Sequence, residues 1–572
     1  MNKASLVQCS ANYIPLSPIS FLERAAVVHG DKISIVYGGV RFSWQQTLER
    51  CRKVASAFVH LGICRHDIEA HDLTLCSMYN VTVISNQLKC LNFFPDQVAA
   101  FAPNIPALYE LHFSVPMAGA VLCALNIKLD APALALILQQ LEAKVIIVDH
   151  QYLKVVLQSL DILSQTKSNS KPPLLIQIPK CGQLSSSYPT DLDLPPDALN
   201  YNDLQESAEP GFQILRPNNE CDPISVSYTS GSTGDPKGVV YSHRAVYLNS
   251  LGAIFQSDMR KMPVFLWTVE MFRCNGWCYP WAVAALGGTN ICLRSVSAKA
   301  IFEAIDLHKV THLCGAPSIL NILADASENY QSRVIKSSVE IIVAGALPAP
   351  EILIKVTELG FNVSHGYGMT EALGPAIVTT CKPQLESQYN LMMEGVDVKD
   401  PNNMESVPYD GKTMGEIMFR GNTLMLGYLK HSNPNHEIFS GGWYRTGDLA
   451  VRHSGGYIQM KDRARDIIIS GGEAISTLEV EAVLLTHPQV LEAAVVGKHD
   501  EVLGETPCAF LKLKKGFGGG EESCKEIMRF CEKKMPAFMV PQALVFGDLP
   551  NSTGKIQKFV LKEKANLVGS LE

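Results

Sequence analysis

Tyr228-Thr-Ser-Gly-Ser-Thr-Gly-Asp-Pro-Lys-Gly-Val-Val240 is the segment whose residue types most clearly point to chemistry. Gly231, Gly234 and Gly238 let backbone N–H groups wrap phosphate oxygens, and the hydroxyls of Thr229, Ser230, Ser232 and Thr233 add donors. Lys237 adds a compact positive charge. A generic Gly/Ser turn would explain the glycines alone, but not this order of hydroxyls and lysine behind a strand-like run, Pro223 to Tyr228. It is not a Walker loop: Gly411-Lys412-Thr413 has that motif's tail, but Ser406 stands at the place of its leading glycine. Further along, Thr370 can bond a phosphate oxygen, and Glu371 is a hard oxygen ligand suited to magnesium. Asp448 can accept both hydroxyls of a ribose, although a turn Asp more often caps its own backbone. Arg463 can reach a ribose or a phosphate, and Lys555 follows Gly554 on a loop.

These residues need a scaffold that presents loops at sheet ends. Ala143–Asp149, Asn290–Leu293, Thr311–Cys314 and Glu340–Ala344 read as buried strands, and Ala298–His308 has helical spacing. This alternation predicts an α/β protein with parallel strands covered by helices. A helix is expected from about Ser242. Lys167–Pro196, rich in Ser, Pro and Lys, reads as a surface excursion, and Gly516–Gly520 as a loop. A chain of 572 residues exceeds one core of roughly 250–300 residues. A boundary falls near Lys461–Asp466, predicting domains 1–462 and 463–572, with a strand at Leu491–Val496 and a helix at Glu521–Lys534 in the second.

The set of motifs resembles the adenylate-forming superfamily, which comprises acyl-CoA ligases, luciferases and peptide-synthetase adenylation domains. Beyond the phosphate loop, Gly366-Tyr-Gly-Met-Thr-Glu371 is similar to its adenine- and magnesium-contacting motif, and Tyr444-Arg-Thr-Gly-Asp448 to its ribose motif. Asp462-Arg463 resembles the entry to its hinge, and Asn551-Ser-Thr-Gly-Lys-Ile-Gln-Lys558 its catalytic-lysine motif. Phe272–Trp281, with Cys274-Asn275-Gly276-Trp277, looks closest to plant acyl-activating enzymes near the benzoate, cinnamate and short branched-chain acid CoA ligases. The resemblance implies a small, mobile α+β C-terminal domain and two reactions. ATP with Mg2+ first converts a small carboxylic acid to an acyl-adenylate, and coenzyme A then captures the acyl group. Lys555, Thr370 and Glu371 become the catalytic set, with Glu371 on the metal. Thr229–Gly234, Lys237, His365, Gly366, Tyr367, Gly368, Met369, Asp448 and Arg463 become nucleotide contacts. Gly471, Gly472 and Glu473 turn toward coenzyme A, and Arg273, Cys274, Asn275, Gly315 and Gly345 line the acid pocket.

The sequence departs from that pattern in three places. Arg273 stands where the plant relatives carry His, with Glu270 as a nearby acidic partner. Arg465 occupies the hinge Lys position, and Ala474 the place of an Asn. Glu69–Gln97, about 29 residues, intervenes where Ile68 should run into Val98 and resembles translated intron sequence; it is expected to sit outside the core, poorly ordered, while Ile68 and Val98 rejoin one interrupted strand. A different acceptor, or an inactive or regulatory paralogue, remains an alternative at this point.

Composition narrows the rest. A net charge of −7 does not suit a protein that must neutralise many nucleic-acid phosphates. Sixteen cysteines without a CxxC pair read as reduced, mostly buried thiols. No signal-like apolar core, no run long enough to span a membrane and no Ser-Lys-Leu ending is present, so the expectation is a cytoplasmic protein without an obligate protein partner.

Overall fold

The computed structural model describes residues 9, 11–63, 95–166, 172–180, 195–206, 209, 211–229, 236–326, 338–345, 350–380, 387–389, 392–430, 438–552 and 555–567. Among these, two large sheets dominate the first part of the chain. In the first, Val121–Ala124, Gln97–Phe101, Val145–Asp149 and Leu174–Ile178 run parallel. Pro223–Thr229 joins Val121–Ala124, and Lys237–Ser242 turns back antiparallel beside it. In the second, Thr289–Cys292, Val264–Trp267, His312–Gly315, Val339–Ala344 and Phe361–Met369 lie parallel in that order. Gly374–Thr380 then folds back antiparallel on the last of them. Near-continuous apolar runs explain most of the parallel strands, which are buried on both faces, whereas Phe361–Met369 is buried only at Phe361, Val363 and Gly366.

The helices lock in by cap and packing. Ser242 caps His243–Gln256 by accepting from the Ala245 N–H, and Ser297 does the same for Ala298–His308. Trp44, Trp267 and Trp281 are all but sealed from solvent. Full burial of an apolar side chain stabilises by about 1.5–3 kcal/mol, before the entropy of ordering it. The two sheets are tied by Arg294, whose guanidinium forks onto buried Asp149 with both bonds at 2.9 Å.

A third, antiparallel sheet follows: Gly395–Lys399, Gly415–Arg420, Tyr444–Arg452 and Ile458–Arg463. The chain then enters a smaller unit built on Ile468–Ser470, Glu473–Ile475, Val490–Asp500, Gly504–Leu513 and Ala543–Phe546. Helices Thr477–Leu485, Glu521–Lys534 and Lys558–Ala565 accompany these strands. The expected α/β architecture, with a large sheet-based part and a small C-terminal part, is present.

Two readings change. Leu174–Ile178 is a buried strand inside the stretch expected to be a surface excursion, because its own apolar run outweighs its Ser/Pro/Lys flanks. Most of the Glu69–Gln97 segment lies outside the described residues, as does its junction at Ile68. Its described end is part of the core. Gln97 opens a central strand, and buried Asp96 pairs with Lys144 at 2.6 Å.

Candidate active site

The candidate residues collect where parallel strands of the second sheet end, the side on which open α/β sheets bind ligands. Gly315 closes His312–Gly315, Gly345 directly follows Val339–Ala344, and Gly366–Met369 is the end of Phe361–Met369. Register sets them side by side: Gly315 pairs with Val343, Val343 with His365 and Ala344 with Gly366. At Gly368 an added Cβ would fall 2.0 Å from the Gly374 carbonyl oxygen, so only glycine permits the turn back into Gly374–Thr380.

Thr370 and Glu371 sit in the short 3-10 turn after this strand. The Tyr241 hydroxyl donates to the Thr370 carbonyl at 2.6 Å, fixing the turn to the phosphate-loop strand Lys237–Ser242. Glu371 is 9% exposed, and its Oε1 accepts from the Tyr428 hydroxyl at 2.7 Å. Burial, then the Glu371 charge, push the Tyr428 phenol above its usual range, so it stays a protonated donor. Lys237 places its Nζ 5.2 Å from the centre of the Tyr428 ring. Thr229 and Lys237 face one another across the hairpin. Ser230, Gly231, Ser232, Thr233 and Gly234 lie outside the described residues.

The Asp448 turn is built by Glu416, which accepts from the Gly447 N–H at 2.8 Å while pairing with Arg445 at 2.9 Å. Asp448 is 5% exposed and accepts from the Tyr367 hydroxyl at 2.7 Å. Burial and then Asp448 hold the Tyr367 phenol well above its usual range. Asp448 and Arg463 are opposite one another in neighbouring strands, with Nε and Oδ1 3.5 Å apart. The carboxylate is thus turned toward Tyr367 and Arg463, side chains of other strands.

Cys274 to Cys278 forms a left-handed turn, with φ of 44°, 44°, 56°, 54° and 66° in sequence. Non-glycine residues pay about 1–2 kcal/mol each for this conformation, and it persists where the surroundings dictate it. Asn104 braces the segment that leads into the turn, bonding the Trp267 and Val269 carbonyls and the Met271 N–H. Gly276 is required because an added Cβ would lie 2.8 Å from the Trp267 ring. The turn brings the Cys274 thiol 3.6 Å from the Thr370 hydroxyl, and Asn275 within 3.2 Å of the Ser227 hydroxyl. Asn275 is fully buried, and its Nδ2 has no partner among the described residues. Trp277 lines a small cavity with Asn249, Ala253, Gln256, Tyr279, Ile342, Leu373 and Pro375. Arg273 pairs with Glu270 at 2.7 Å, and Lys128 approaches the same carboxylate at 3.5 Å. Burial pushes the Glu270 carboxyl up, but Arg273 and Lys128 together hold it below the usual range.

The remaining candidates are on other elements. Arg465 lies in the tight turn after Ile458–Arg463, where the Arg463 carbonyl accepts from the Asp466 and Ile467 N–H groups. Gly471 and Gly472, with φ of 58° and 88°, form the exposed turn of a two-residue hairpin closed by Ser470 and Glu473. Lys555 opens a two-residue strand whose backbone pairs with Ser552. Tyr241 and Tyr428 were not singled out from sequence. The available signal was that a buried tyrosine hydroxyl needs a partner.

Comparison with known proteins shows the family. The AMP-binding enzyme family matches residues 80–429, and the AMP-binding enzyme C-terminal domain matches residues 479–555. An acetate–CoA ligase of Humulus lupulus is 43% identical, covering 98% of this chain and 97% of its own. A peroxisomal butyrate–CoA ligase of Arabidopsis thaliana is 42% identical over 98% and 95%, and a peroxisomal trans-cinnamate:CoA ligase of Petunia hybrida 41% over 99% and 96%. The fold is shared with an anthranilate CoA ligase solved with anthranoyl-AMP, at a TM-score of 0.79 and 22% identity over 98% of this chain and 99% of the other. It is also shared with the Bacillus subtilis o-succinylbenzoate CoA synthetase solved with ATP and magnesium, at 0.75 and 21% over 95% and 99%. The expectation of a cytoplasmic protein is overturned by relatives named as peroxisomal. Lack of a leader or a spanning segment does not fix a compartment, because organelle addresses are short signals read by receptors. With both parts of the chain matched, and relatives above 40% identity along nearly its whole length, the chain belongs to the AMP-binding enzyme family, in its group of plant acyl-activating enzymes and CoA ligases.

Proposed function

We propose that this AMP-forming acid–CoA ligase takes a short aliphatic monocarboxylic acid, and that residues 1–462 and 463–572 act as an adenylation domain and a mobile lysine-bearing domain. The observation that carries the substrate reading is the Cys274–Cys278 turn, which brings Cys274 to Thr370 and sets Trp277 into the wall of a small cavity. A bulky ring at that place limits the acyl group to a few carbons. The acetate and butyrate ligases among the relatives support the same size class.

In the first reaction, a carboxylate oxygen of the acid attacks the α-phosphorus of ATP, and the bond to pyrophosphate breaks. Both reactants are anionic, so positioning and fixed charge supply most of the rate. Lys237 and the phosphate loop hold the phosphates, Asp448 and Arg463 the ribose, and Thr370 a phosphate oxygen. Lys555 approaches the carboxylate and α-phosphate from the small domain. Glu371 fits a magnesium ion: it is a hard oxygen donor held by a neutral hydroxyl, and such ions keep waters and substrate phosphates as their other ligands. The ion, when bound, neutralises phosphate charge. In the second reaction the sulfur of coenzyme A attacks the acyl carbon and AMP leaves, with Gly471, Gly472 and Glu473 turned to the thiol substrate and Arg465 in the hinge. A peroxisomal location, as named for several relatives, fits this reading.

The test is a mass-resolved assay with ATP, coenzyme A and acetate, butyrate, 2-methylpropanoate, benzoate or cinnamate. The short aliphatic acids should give the highest kcat/KM, and Trp277→Ala should shift preference to longer acids. Preference of the parent for cinnamate or benzoate would overturn the substrate reading.

A further inference from the structure

Three contacts in the second half of the chain join residues far apart in sequence. Asp462 is 2% exposed and lies at the end of the strand Ile458–Arg463. Its Oδ2 accepts from both the N–H and the hydroxyl of Thr477, each at 2.6 Å. Thr477 is fully buried and begins the helix Thr477–Leu485. The same hydroxyl accepts from the Lys558 ammonium at 2.5 Å, and Lys558 pairs with Glu481 at 2.7 Å. Glu481 in turn accepts from the Val495 N–H at 2.8 Å. A second strap runs alongside: the Ser476 hydroxyl donates to the Lys461 carbonyl at 2.6 Å, and Lys461 pairs with Glu479 at 2.7 Å.

Lys558 is the first residue of the helix Lys558–Ala565 and stands three positions after Lys555. The strand beginning at Lys555 is closed onto this helix start by the Gln557 N–H, which donates to the Pro550 carbonyl at 2.9 Å. The base of the hairpin that carries Lys555 is therefore anchored next to Lys558. Thr477 passes that anchor on to Asp462, the residue just before the hinge turn. A pair made only to neutralise Glu481 would need Lys558 and Glu481 alone. The arm through Thr477 crosses the proposed domain boundary.

We infer that Lys558 is a positioning residue for adenylation: through Thr477 it clasps the Lys555 hairpin to Asp462 and sets where the small domain presents its lysine. The inference rests on the reading of Lys555 as the adenylation lysine. It predicts a split between the half-reactions, because misplacement by about an ångström far from the chemistry can cost on the order of 100-fold.

The experiment measures acyl-adenylate formation and, separately, thioester formation from supplied acyl-adenylate, in the full chain. Lys558→Met should lower kcat for adenylation by about 10- to 100-fold with little change in KM for ATP or acid. Thioester formation should stay near the parent rate, and Lys558→Arg should restore most of the loss. Thr477→Val, which keeps the Lys558–Glu481 pair but removes the hydroxyl bridge, should show the same split and covers the case in which Lys558→Met does not fold. Equal loss of both half-reactions in Thr477→Val, or adenylation unchanged in that variant, overturns the clasp. Lys555→Ala is measured beside them. If it abolishes adenylation while Lys558→Met and Thr477→Val leave it intact, the clasp fails and the Lys555 reading stands. If Lys555→Ala spares adenylation, the Lys555 reading itself fails, and the clasp with it.

Discussion

Glu371 and Asp448 in the candidate site, and Asp462 and Glu481 at the join to the small domain, are all largely withdrawn from solvent. They are held by different means. Tyr428 and Tyr367 bond the first two with neutral hydroxyls, and Arg463 stands at 3.5 Å from Asp448 on a side chain 41% exposed. Of the second two, Glu481 meets the Lys558 ammonium directly, while Asp462 takes the neutral Thr477 N–H and hydroxyl and is linked to that ammonium only through the hydroxyl. A neutral donor orients a carboxylate while leaving its net charge for something else to meet. A close ammonium uses that charge to hold the fold. Sequence cannot separate the two kinds of acid, because each is a carboxylate beside a turn or helix start.

Replacing Glu371 by Gln tests the first side of this contrast and should have the largest effect. Shape is kept and the charge is lost, so adenylation should fall by about 10²–10³-fold, the range seen when one charge-stabilising group is removed. The melting temperature should barely move, since Tyr428 can still donate to an amide oxygen. Glu481→Gln is the matched control: it loses the charge that meets the Lys558 ammonium and should lower the melting temperature more than Glu371→Gln does. Single-turnover rates and thermal melts on both variants decide the point. A Glu371→Gln protein that melts early but adenylates normally would place Glu371 with the structural acids.

Asp448→Ala comes next. Loss of charged hydrogen bonds to a ribose costs roughly 1.5–3 kcal/mol, which is about 10- to 150-fold in the ATP requirement. KM for the acid should change far less. Nucleotide titration checks this, and an unchanged ATP affinity in a folded variant would take Asp448 out of the site.

Much of this arrangement was legible before the structure. Ala298–His308 and Glu521–Lys534 form helices with the expected bounds, and the predicted buried strands are all strands to within two residues at their ends, save Leu491–Val496, which extends on to Asp500. Strong periodicity and clear caps carry such information locally. Thr370, Glu371, Asp448 and Arg463 stand out as candidates because they sit in ordered motifs, and register brings Asp448 opposite Arg463. What stayed hidden depends on distant partners. Tyr428 meets Glu371 across 57 positions, and Lys558 meets Thr477 across 81. The left-handed turn at Cys274–Cys278 was hidden for another reason. Gly276 favours positive φ and Asn275 tolerates it, but nothing in the residue types of Cys274, Trp277 and Cys278 marks them for it.

Arg273→His should have the smallest effect, and it sharpens the contrast from a third direction. Here a carboxylate, Glu270, is met by a full positive charge as at Lys558, but on partly exposed side chains: 26% for Arg273 and 30% for Glu270. An ion pair so open to water contributes about 0–1 kcal/mol, so stability should hardly change. Its place matters more than its strength. Arg273 immediately precedes the turn that carries Cys274 to Thr370 and Trp277 to the cavity, and its guanidinium lies 5.6 Å from the Phe272 ring centre. A histidine is shorter and planar, and it releases Glu270 from its closest partner while Lys128 stays at 3.5 Å. The mouth of the proposed acid site should then widen and lose a fixed charge. The expected outcome is a shift in relative kcat/KM toward longer or branched acids, of about tenfold or less, the scale set by one or two methylenes in an apolar pocket. ATP affinity should be unchanged, because the proposed nucleotide contacts lie on other strands. An acid profile and rate identical to the parent would mean that position 273 does not face the acid, and that its pair with Glu270 serves only to hold the turn.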